Sequence, residues 1–243
     1  MIDRFEDEKI ENICKQGEDA RLRSASLQWV IDSAAYQYSY HFTWLGRPII
    51  QFPQDIVAMQ EIIWRVCPDI IVETGIARGG SLIFHASLLE LLGGDRRVIG
   101  VDVDIRDHNR ASIKNHPMFK RISMIEGSSV AESTVQEVFR LVGGTKRVLL
   151  ILDSNHTHEH VLAELKLYSP LVKKGSYIVV FDTTIEDMPG SHFSDRPWHV
   201  GNNPRTAVRE FLLSNNRFIV DEEMDHKLLI SSALGGYLVC IKD

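Results

Sequence analysis

Short, continuously apolar runs that alternate with longer helix-like segments are the feature that most constrains the fold of this chain. The runs VLLIL (148–152) and YIVVF (177–181) contain no charged residue, as expected for parallel strands that helices cover on both faces. Glycine or proline follows several of the helix-like segments and marks their ends. The sequence therefore predicts an α/β fold with a doubly wound, mostly parallel seven-stranded sheet of the Rossmann-like type.

The predicted elements alternate from residue 56 onward. Apolar residues at helical spacing predict helices, and apolar runs between turn residues predict strands. The last two strands lie close together in the sequence and could form an antiparallel hairpin. The predicted helices are 56–66, 80–92, one around Arg110, 132–141, 158–171 and 205–213. The predicted strands are 70–73, 98–103, 122–125, 148–152, 177–181, 217–220 and 236–241.

The first 55 residues follow a different pattern. Apolar residues such as Ile10, Ile13 and Trp29 recur among charges at loosely helical intervals, which predicts one or two amphipathic helices. The stretch 36–55 is rich in aromatic residues, contains glycine and proline, and keeps no period, which favours an ordered loop or lid. We therefore expect an N-terminal helical extension with an aromatic lid (1–55) and a main α/β domain (56–243).

Charge and cysteine content exclude several classes of function. The formal net charge is -6 and no basic cluster is present, so a nucleic-acid partner is disfavoured and small molecules are expected. The three cysteines are an odd number and widely spaced, which argues against a disulfide framework. The charged N-terminus lacks a signal core, and no run approaches the roughly 18 apolar residues of a membrane span. We expect a cytoplasmic protein without a membrane span.

Polar residues follow the predicted strands, where ligands bind in sheets of this type. The first strand leads into a turn with the spacing Gly75-x-x-x-Gly79, which differs from the G-x-G-x-x-G of a dinucleotide site. Asp102 ends the second strand, where an acid can accept both hydroxyls of a ribose, and Ser128 follows the third. Each signal alone has a structural alternative, a glycine turn or a helix cap. Together they predict a cofactor site.

The fourth and fifth strands deliver acids and histidines. Asp153 and Asp182 follow neighbouring strands, close enough to share an oxygen-preferring cation such as Mg²⁺. Such a cation would lower the pKa of a substrate hydroxyl, and His156 could take its proton. The alternative is that Asp153 and His156 only cap the next helix. His158 and His160 could equally be solvated or structural.

Four segments together, YHFTWLGRPIIQFPQD, VETGIARGGS, LDSNHTHEHV and YIVVFDT, resemble the cephalosporin hydroxylase family, which is similar in fold to class I methyltransferases. The resemblance implies a Rossmann-like methyltransferase fold, an S-adenosylmethionine-binding catalytic domain, and methylation of a hydroxyl of a sugar or glycosylated natural product. Asp153 is implied as a metal ligand and His156 as the general base. The implied cofactor-binding residues are Glu73, Gly75, Gly79 and Asp102, with Arg78, Ser81 and Ser128 as neighbours.

The sequence departs from the family pattern at the fifth strand. Related sugar O-methyltransferases carry a Glu-Asp pair there, and the pair falls on Phe181 and Asp182. One of the two acids is therefore replaced by an apolar residue. Asp153 and Asp182 remain as metal ligands, and Glu186 or Asp187 could supply a third oxygen.

Two other functions remain open from the sequence. Asp153, His156 and His160 could form a two-His-one-carboxylate site for non-haem Fe(II) in a hydroxylase. A dinucleotide-binding or cofactor-sensing module without catalysis is the other possibility. The aromatic stretch 36–44 and the loop 191–204 are expected to flank an acceptor pocket or to form subunit contacts. We expect a homo-oligomer from the resemblance and from the aromatic extension.

Overall fold

The computed structural model describes residues 4–144 and 146–243. It has one central sheet with helices on both faces. The helices are α1 (Arg4–Glu18), α2 (Ala20–Ala34), α3 (Pro53–Val66), α4 (Gly80–Leu92), α5 (Asp107–Lys114), α6 (Glu132–Val142), α7 (His158–Tyr168), α8 (Pro204–Ser214) and α9 (Glu222–Leu228). The strands are β1 (Phe42–Trp44), β2 (Arg47–Ile49), β3 (Ile70–Thr74), β4 (Arg97–Asp102), β5 (Ile122–Glu126), β6 (Val148–Leu152), β7 (Tyr177–Val180), β8 (Phe218–Val220) and β9 (Tyr237–Cys240).

The central sheet has the strand order β5-β4-β3-β6-β7-β9-β8. Neighbouring strands from β5 to β7 run parallel, whereas β9 runs antiparallel to both β7 and β8. The predicted seven-stranded, mostly parallel sheet is confirmed. The last two strands do pair antiparallel, but α9 lies between them in the chain, so they are not a tight hairpin. After β3 the chain adds β4 and β5 on one side of it, and then adds β6 and β7 on its other side. This change of side between β3 and β6 opens a crevice at the carboxyl ends of these two parallel strands.

Burial of alternate strand residues on opposite faces explains the continuously apolar runs. In β3, Ile71 packs with α3 and α4 on one face, and Val72 packs with α7 and α8 on the other. All five residues of β6 are buried. Because helices cover both faces, neither set of alternating positions can be polar.

The N-terminal extension forms two helices at the predicted place. Helix α1 packs against α9, where Gln16 Nε2 donates hydrogen bonds to the carbonyl oxygens of His226 and Lys227 at 2.8 and 3.0 Å. The approach is close, since a Cβ atom on Gly17 would lie 2.0 Å from the His226 ring. The division of the chain into an extension and a catalytic domain stays a prediction.

The aromatic segment contains regular structure that the sequence did not predict. A 3₁₀ turn over Tyr38–His41 leads into a small hairpin, in which β1 and β2 pair antiparallel. Helix α3 begins at Pro53 and not at residue 56, because proline suits the first turn of a helix. The expectation of an irregular loop over 36–55 is therefore wrong in these parts. No helix within 4–144 and 146–243 has both the length and the apolar character that crossing a membrane requires.

Candidate active site

The turn after β3 depends on two glycines with positive φ. Gly75 has a φ of +93° and Gly79 a φ of +80°, a region that side chains other than glycine rarely adopt. A Cβ atom on Gly75 would lie 1.9 Å from the carbonyl oxygen of Asp153. The absence of a side chain at Gly75 thus lets the turn approach the end of β6.

Asp102 lies at the end of β4, as predicted, and braces this turn. Its Oδ2 atom accepts hydrogen bonds from the backbone N–H groups of Ile76 and Ala77, at 2.8 and 3.1 Å. Its Oδ1 atom accepts from the N–H of Asp104 at 3.1 Å. The side chain therefore fixes the turn in its present form. Its proposed contact with a ribose stays a prediction.

Glu73 lies beneath the turn and not on its surface. Its side chain is fully buried, and its Oε2 atom is 3.2 Å from Nδ1 of His85. Its Oε1 atom has no hydrogen-bond partner in the described part of the chain. Glu73 borders neither of the cavities described below, so a cofactor would have to reach it through the turn. Its role in cofactor binding stays a prediction.

A small cavity of about 40 Å³ lies against the same turn. Arg78 and Ser81, both predicted neighbours of the cofactor, line it together with Gly75 and Asp153. Ser128 lies after β5, where its carbonyl oxygen accepts a hydrogen bond from Ala131 at 3.0 Å. Ser128 and Gly79 line neither cavity, and their contact with a cofactor stays a prediction.

The acids and the histidine predicted for the chemistry converge. One potential ligand atom from each of Asp153, His156 and Asp182 lies within 4.8 Å of the others. The N–H of Asp153 donates to the carbonyl oxygen of Thr74 at 2.9 Å, which holds the end of β6 beside β3. His156 Nε2 lies 3.1 Å from Asp182 Oδ2. The structure thus brings together three polar groups from the ends of two adjacent strands.

Electrostatics at this cluster favour a positive charge. Burial raises the pKa of Asp153 well above its ordinary value, and the nearby carboxylate of Asp182 raises it further. More distant acids, Glu73 among them, act in the same direction. A bound cation would offset this repulsion and keep Asp153 ionised.

Two carboxylates and an imidazole form a donor set that fits a divalent cation. Phe181, which stands where the family pattern has an acid, is 1% exposed. The other two candidates for a third oxygen lie elsewhere: Glu186 accepts hydrogen bonds from Gly201 and Asn203, and Asp187 pairs with Arg205. The expectation that Glu186 or Asp187 completes the metal site is therefore not met.

The two remaining histidines of the HTHEH segment have structural contacts. His158 joins α7 to α8, since Nδ1 lies 2.8 Å from Thr206 Oγ1 and Nε2 lies 3.1 Å from Glu210. His160 Nε2 lies 3.0 Å from Ser129 Oγ. His160 is absent from the metal-ligand cluster found among the described residues, so the ligand set proposed for non-haem iron is not assembled.

Trp198 is a residue of the site that the sequence did not single out. Its ring meets His156 edge to face, with the ring centroids 4.7 Å apart. The guanidinium of Arg196 lies over the Trp198 ring at 5.5 Å. The only signal in the sequence is a lone tryptophan in a loop rich in glycine, proline and histidine. In the structure this loop confines the imidazole of His156.

A larger cavity of about 510 Å³ opens beside the cluster. Both segments expected to flank an acceptor pocket line it, the aromatic stretch through Tyr38 and Tyr40 and the later loop through Phe193 and Trp198. The two cavities adjoin, and the residues that line both are Ile50, Gln51, Ala77 and Asp153. A ligand in the small cavity would thus be next to a ligand in the large one.

Comparison with known families gives a match over most of the chain. Residues 36–241 match the model of the family described as rhamnosyl O-methyltransferase/CmcI. The match begins at the aromatic segment and covers all seven strands of the central sheet. The helices α1 and α2 lie outside it.

The sequence identity with three individual relatives is below one third. The chain is 32% identical to a rhamnosyl O-methyltransferase from Mycobacterium leprae (strain TN) over 60% of its own length and 62% of that protein. A solved structure of CmcI with Mg and SAM is 20% identical, with a TM-score of 0.57 over 83% of this chain and 77% of that one. The apo structure of CalS11, a TDP-rhamnose 3'-O-methyltransferase, is 17% identical, with a TM-score of 0.56 over 99% and 96% of the two chains.

Proposed function

The chain belongs to the rhamnosyl O-methyltransferase/CmcI family, and on this premise we propose that it is an S-adenosylmethionine-dependent O-methyltransferase whose acceptor is a hydroxyl of a sugar or glycosylated natural product. The observation that carries the proposal is the convergence of Asp153, His156 and Asp182 beside the Gly75–Gly79 turn. That arrangement offers a place for the methyl donor and, next to it, groups that can activate a hydroxyl.

In the reaction, the acceptor oxygen attacks the methyl carbon of the sulfonium. The carbon–sulfur bond breaks, its electron pair stays on sulfur, and the hydroxyl proton must leave. His156 receives this proton. Because Nε2 faces Asp182 at 3.1 Å, Nδ1 is the nitrogen available to the acceptor, and the Asp182 carboxylate stabilises the imidazolium that forms. Trp198 keeps the ring in place.

Asp153 and Asp182 would hold a divalent cation, with Mg²⁺ as our proposal. Bound there, the cation would lower the pKa of the acceptor hydroxyl. The donor set on this chain and the presence of Mg in the CmcI structure support the assignment. The imidazole lies within ligand distance of the same place, so His156 can serve as a base only when its proton-accepting nitrogen is free of the cation.

The cofactor is proposed to lie along the ends of β3, β4 and β5, with Gly75, Gly79 and Asp102 closest and Arg78, Ser81 and Ser128 around them. The fixed turn and the start of α4, which no side chain caps, support this position. A helix N-terminus favours a negatively charged group such as a carboxylate. Glu73, which is buried beside the turn, stays a predicted cofactor-binding residue.

The acceptor is proposed to occupy the larger cavity. Aromatic and polar side chains line it together, a mixture suited to an amphipathic ligand such as a sugar. The relatives point the same way, since the Mycobacterium leprae protein and CalS11 are both described as acting on rhamnose-containing acceptors. A cytoplasmic location, a homo-oligomeric assembly and the absence of a nucleic-acid partner stay predictions.

A thermal-shift panel tests this function against the two alternatives. We expect S-adenosylmethionine to raise the Tm, since a ligand that binds only the folded state stabilises it. Neither NAD nor Fe(II) with 2-oxoglutarate should do so. A shift with NAD alone would support the cofactor-sensing module, and a shift with Fe(II) and 2-oxoglutarate alone would support the hydroxylase.

Calorimetry then locates the cofactor. Asp102→Ala and Gly75→Val should each weaken the binding of S-adenosylhomocysteine. Unchanged affinity in both variants would remove the cofactor from this turn.

A further inference from the structure

Gln51 carries a buried amide without a hydrogen-bond partner. The residue is 3% exposed. Its Nε2 and Oε1 atoms are both buried, and neither has a partner among residues 4–144 and 146–243. An amide withdrawn from water without compensation is unfavourable. Such a group in a stable protein therefore calls for an explanation, and a ligand is one.

The position of Gln51 points to a ligand. It follows β2, precedes α3, and lines both the small cavity and the large one. Gly80 and Ser81, at the start of α4, also line the small cavity. The lining of the small cavity therefore includes an uncapped helix N-terminus and an unpaired amide.

The backbone on both sides of Gln51 is held by packing contacts. A Cβ atom on Gly80 would lie 2.1 Å from the carbonyl oxygen of Pro48, so the segment after β1 is pressed against α4. On the other side, the ring of Phe52 stacks on Tyr38 with a centroid distance of 6.2 Å. These contacts fix the backbone from which the Gln51 side chain reaches the cavities.

We propose that the Gln51 carboxamide binds the amino-acid end of S-adenosylmethionine, an assignment that rests on the proposed function. Its NH₂ group donates to the α-carboxylate, and its carbonyl oxygen accepts from the α-ammonium. A carboxamide matches a zwitterion because it offers one donor group and one acceptor side by side. The N-terminus of α4 attracts the same carboxylate.

The assignment also places the cofactor beside the acceptor site. An amino-acid end held by Gln51 would leave the rest of the cofactor near Asp153, which lines both cavities. The larger cavity, which His156 lines, adjoins that position. Gln51 is a binding residue in this scheme and takes no part in proton transfer.

The test compares two ligands and two glutamines. S-Adenosylhomocysteine has the amino-acid end, whereas 5'-methylthioadenosine keeps the adenosine and the thioether but lacks it. Calorimetry on Gln51→Met should show affinity for S-adenosylhomocysteine lowered by about tenfold or more, with affinity for methylthioadenosine unchanged. Gln54→Met is the matched control, because Gln54 also has a buried, unpartnered amide oxygen but lines neither cavity. It should bind both ligands as the wild type does.

Stability separates binding from a structural role. Methionine has nearly the same size and no amide, so Gln51→Met should leave the Tm of the ligand-free protein equal or higher. A lower Tm together with equal losses for both ligands would show a structural role and overturn the proposal. Gln51→Glu keeps the shape and removes the donor, and it should weaken S-adenosylhomocysteine selectively as well.

The remaining outcomes distinguish this assignment from the proposed function. Wild-type protein that binds neither ligand would overturn both. Wild-type binding with unchanged S-adenosylhomocysteine affinity in Gln51→Met would overturn the Gln51 assignment alone. A raised KM for the acceptor with unchanged S-adenosylhomocysteine affinity would place Gln51 on the acceptor instead.

Discussion

The carboxyl ends of β3, β4, β6 and β7 form a rim around the candidate site, and its two halves are built differently. On the β3–β4 side, backbone groups and internal hydrogen bonds form the surface: Asp102 accepts from the turn and Gly75 allows a close approach. On the β6–β7 side, side chains form it, and the potential ligand atoms of Asp153, His156 and Asp182 lie within 4.8 Å of one another next to the large cavity. The first half is suited to hold a cofactor in one position, and the second half is suited to change protonation state.

The largest effect is expected where the two halves meet. Gly75→Ala should lower the free energy of unfolding by about 3 kcal/mol, because it combines backbone strain with a clash against Asp153. Chemical denaturation measures this loss. Gly94→Ala is the control, since Gly94 also has positive φ but open space around it, and it should cost only about 1 kcal/mol. Equal losses in both would mean that the close approach is unimportant.

Removal of the proposed base, His156, should affect the β6–β7 half alone. His156→Ala is expected to lower kcat by on the order of 10² or more and to leave the affinity for S-adenosylhomocysteine unchanged. His158→Ala, two residues away and bonded to Thr206 and Glu210, should keep kcat and lose stability. Wild-type turnover in His156→Ala would contradict the base assignment.

The cation tests the same half by a different measurement. Asp153→Asn should lower the affinity for Mn²⁺, a paramagnetic substitute for Mg²⁺, by at least the roughly ten- to hundredfold loss seen when a group that only supports a metal ligand is changed, as followed by electron paramagnetic resonance. Asp187→Asn is the control, because Asp187 pairs with Arg205 and lies outside the cluster. This variant should bind Mn²⁺ as the wild type does. Activity that survives thorough chelation would assign Asp153 and Asp182 to acceptor binding.

The smallest expected effect comes from Trp198, whose ring packs against the proposed base His156. Trp198→Leu should lower kcat by about tenfold, because the imidazole loses its fixed orientation. Cofactor affinity, on the other half of the rim, should not change. Trp64→Leu removes an exposed tryptophan on α3 and serves as the control. Steady-state kinetics measure kcat, and calorimetry measures cofactor affinity. Weaker cofactor binding in Trp198→Leu would contradict the division of the rim into a cofactor half and a β6–β7 half.

The fold could be predicted because its signals are local. Apolar runs such as 148–152, and the glycines or prolines after the helices, mark the elements within a few residues. The position of β9 between β7 and β8 depends on contacts between distant segments, whereas the hairpin of β1 and β2 is local but has strands of only three residues. Neither the short strands nor α9 carries a strong periodic signal of its own.

The site was predictable to the level of strand ends and no further. Parallel strands place Asp153 and Asp182 at one edge, and the structure brings them together with His156. The direction of a side chain depends on packing, which the sequence pattern does not show. The side chain of Glu73 points toward His85 of α4, and that of His160 points toward Ser129. Burial of the Gln51 amide likewise depends on the contact of residues 47–52 with α4.

The contact between α1 and α9 has a consequence for biosynthesis. Gln16 and its partner His226 are separated by 210 residues, so α1 leaves the ribosome long before the helix against which it packs. Chains are made at about 5–20 residues per second, which leaves α1 without that contact for on the order of 10 seconds or more. During this interval its apolar side is available to chaperones, and docking of α1 becomes a late step in folding.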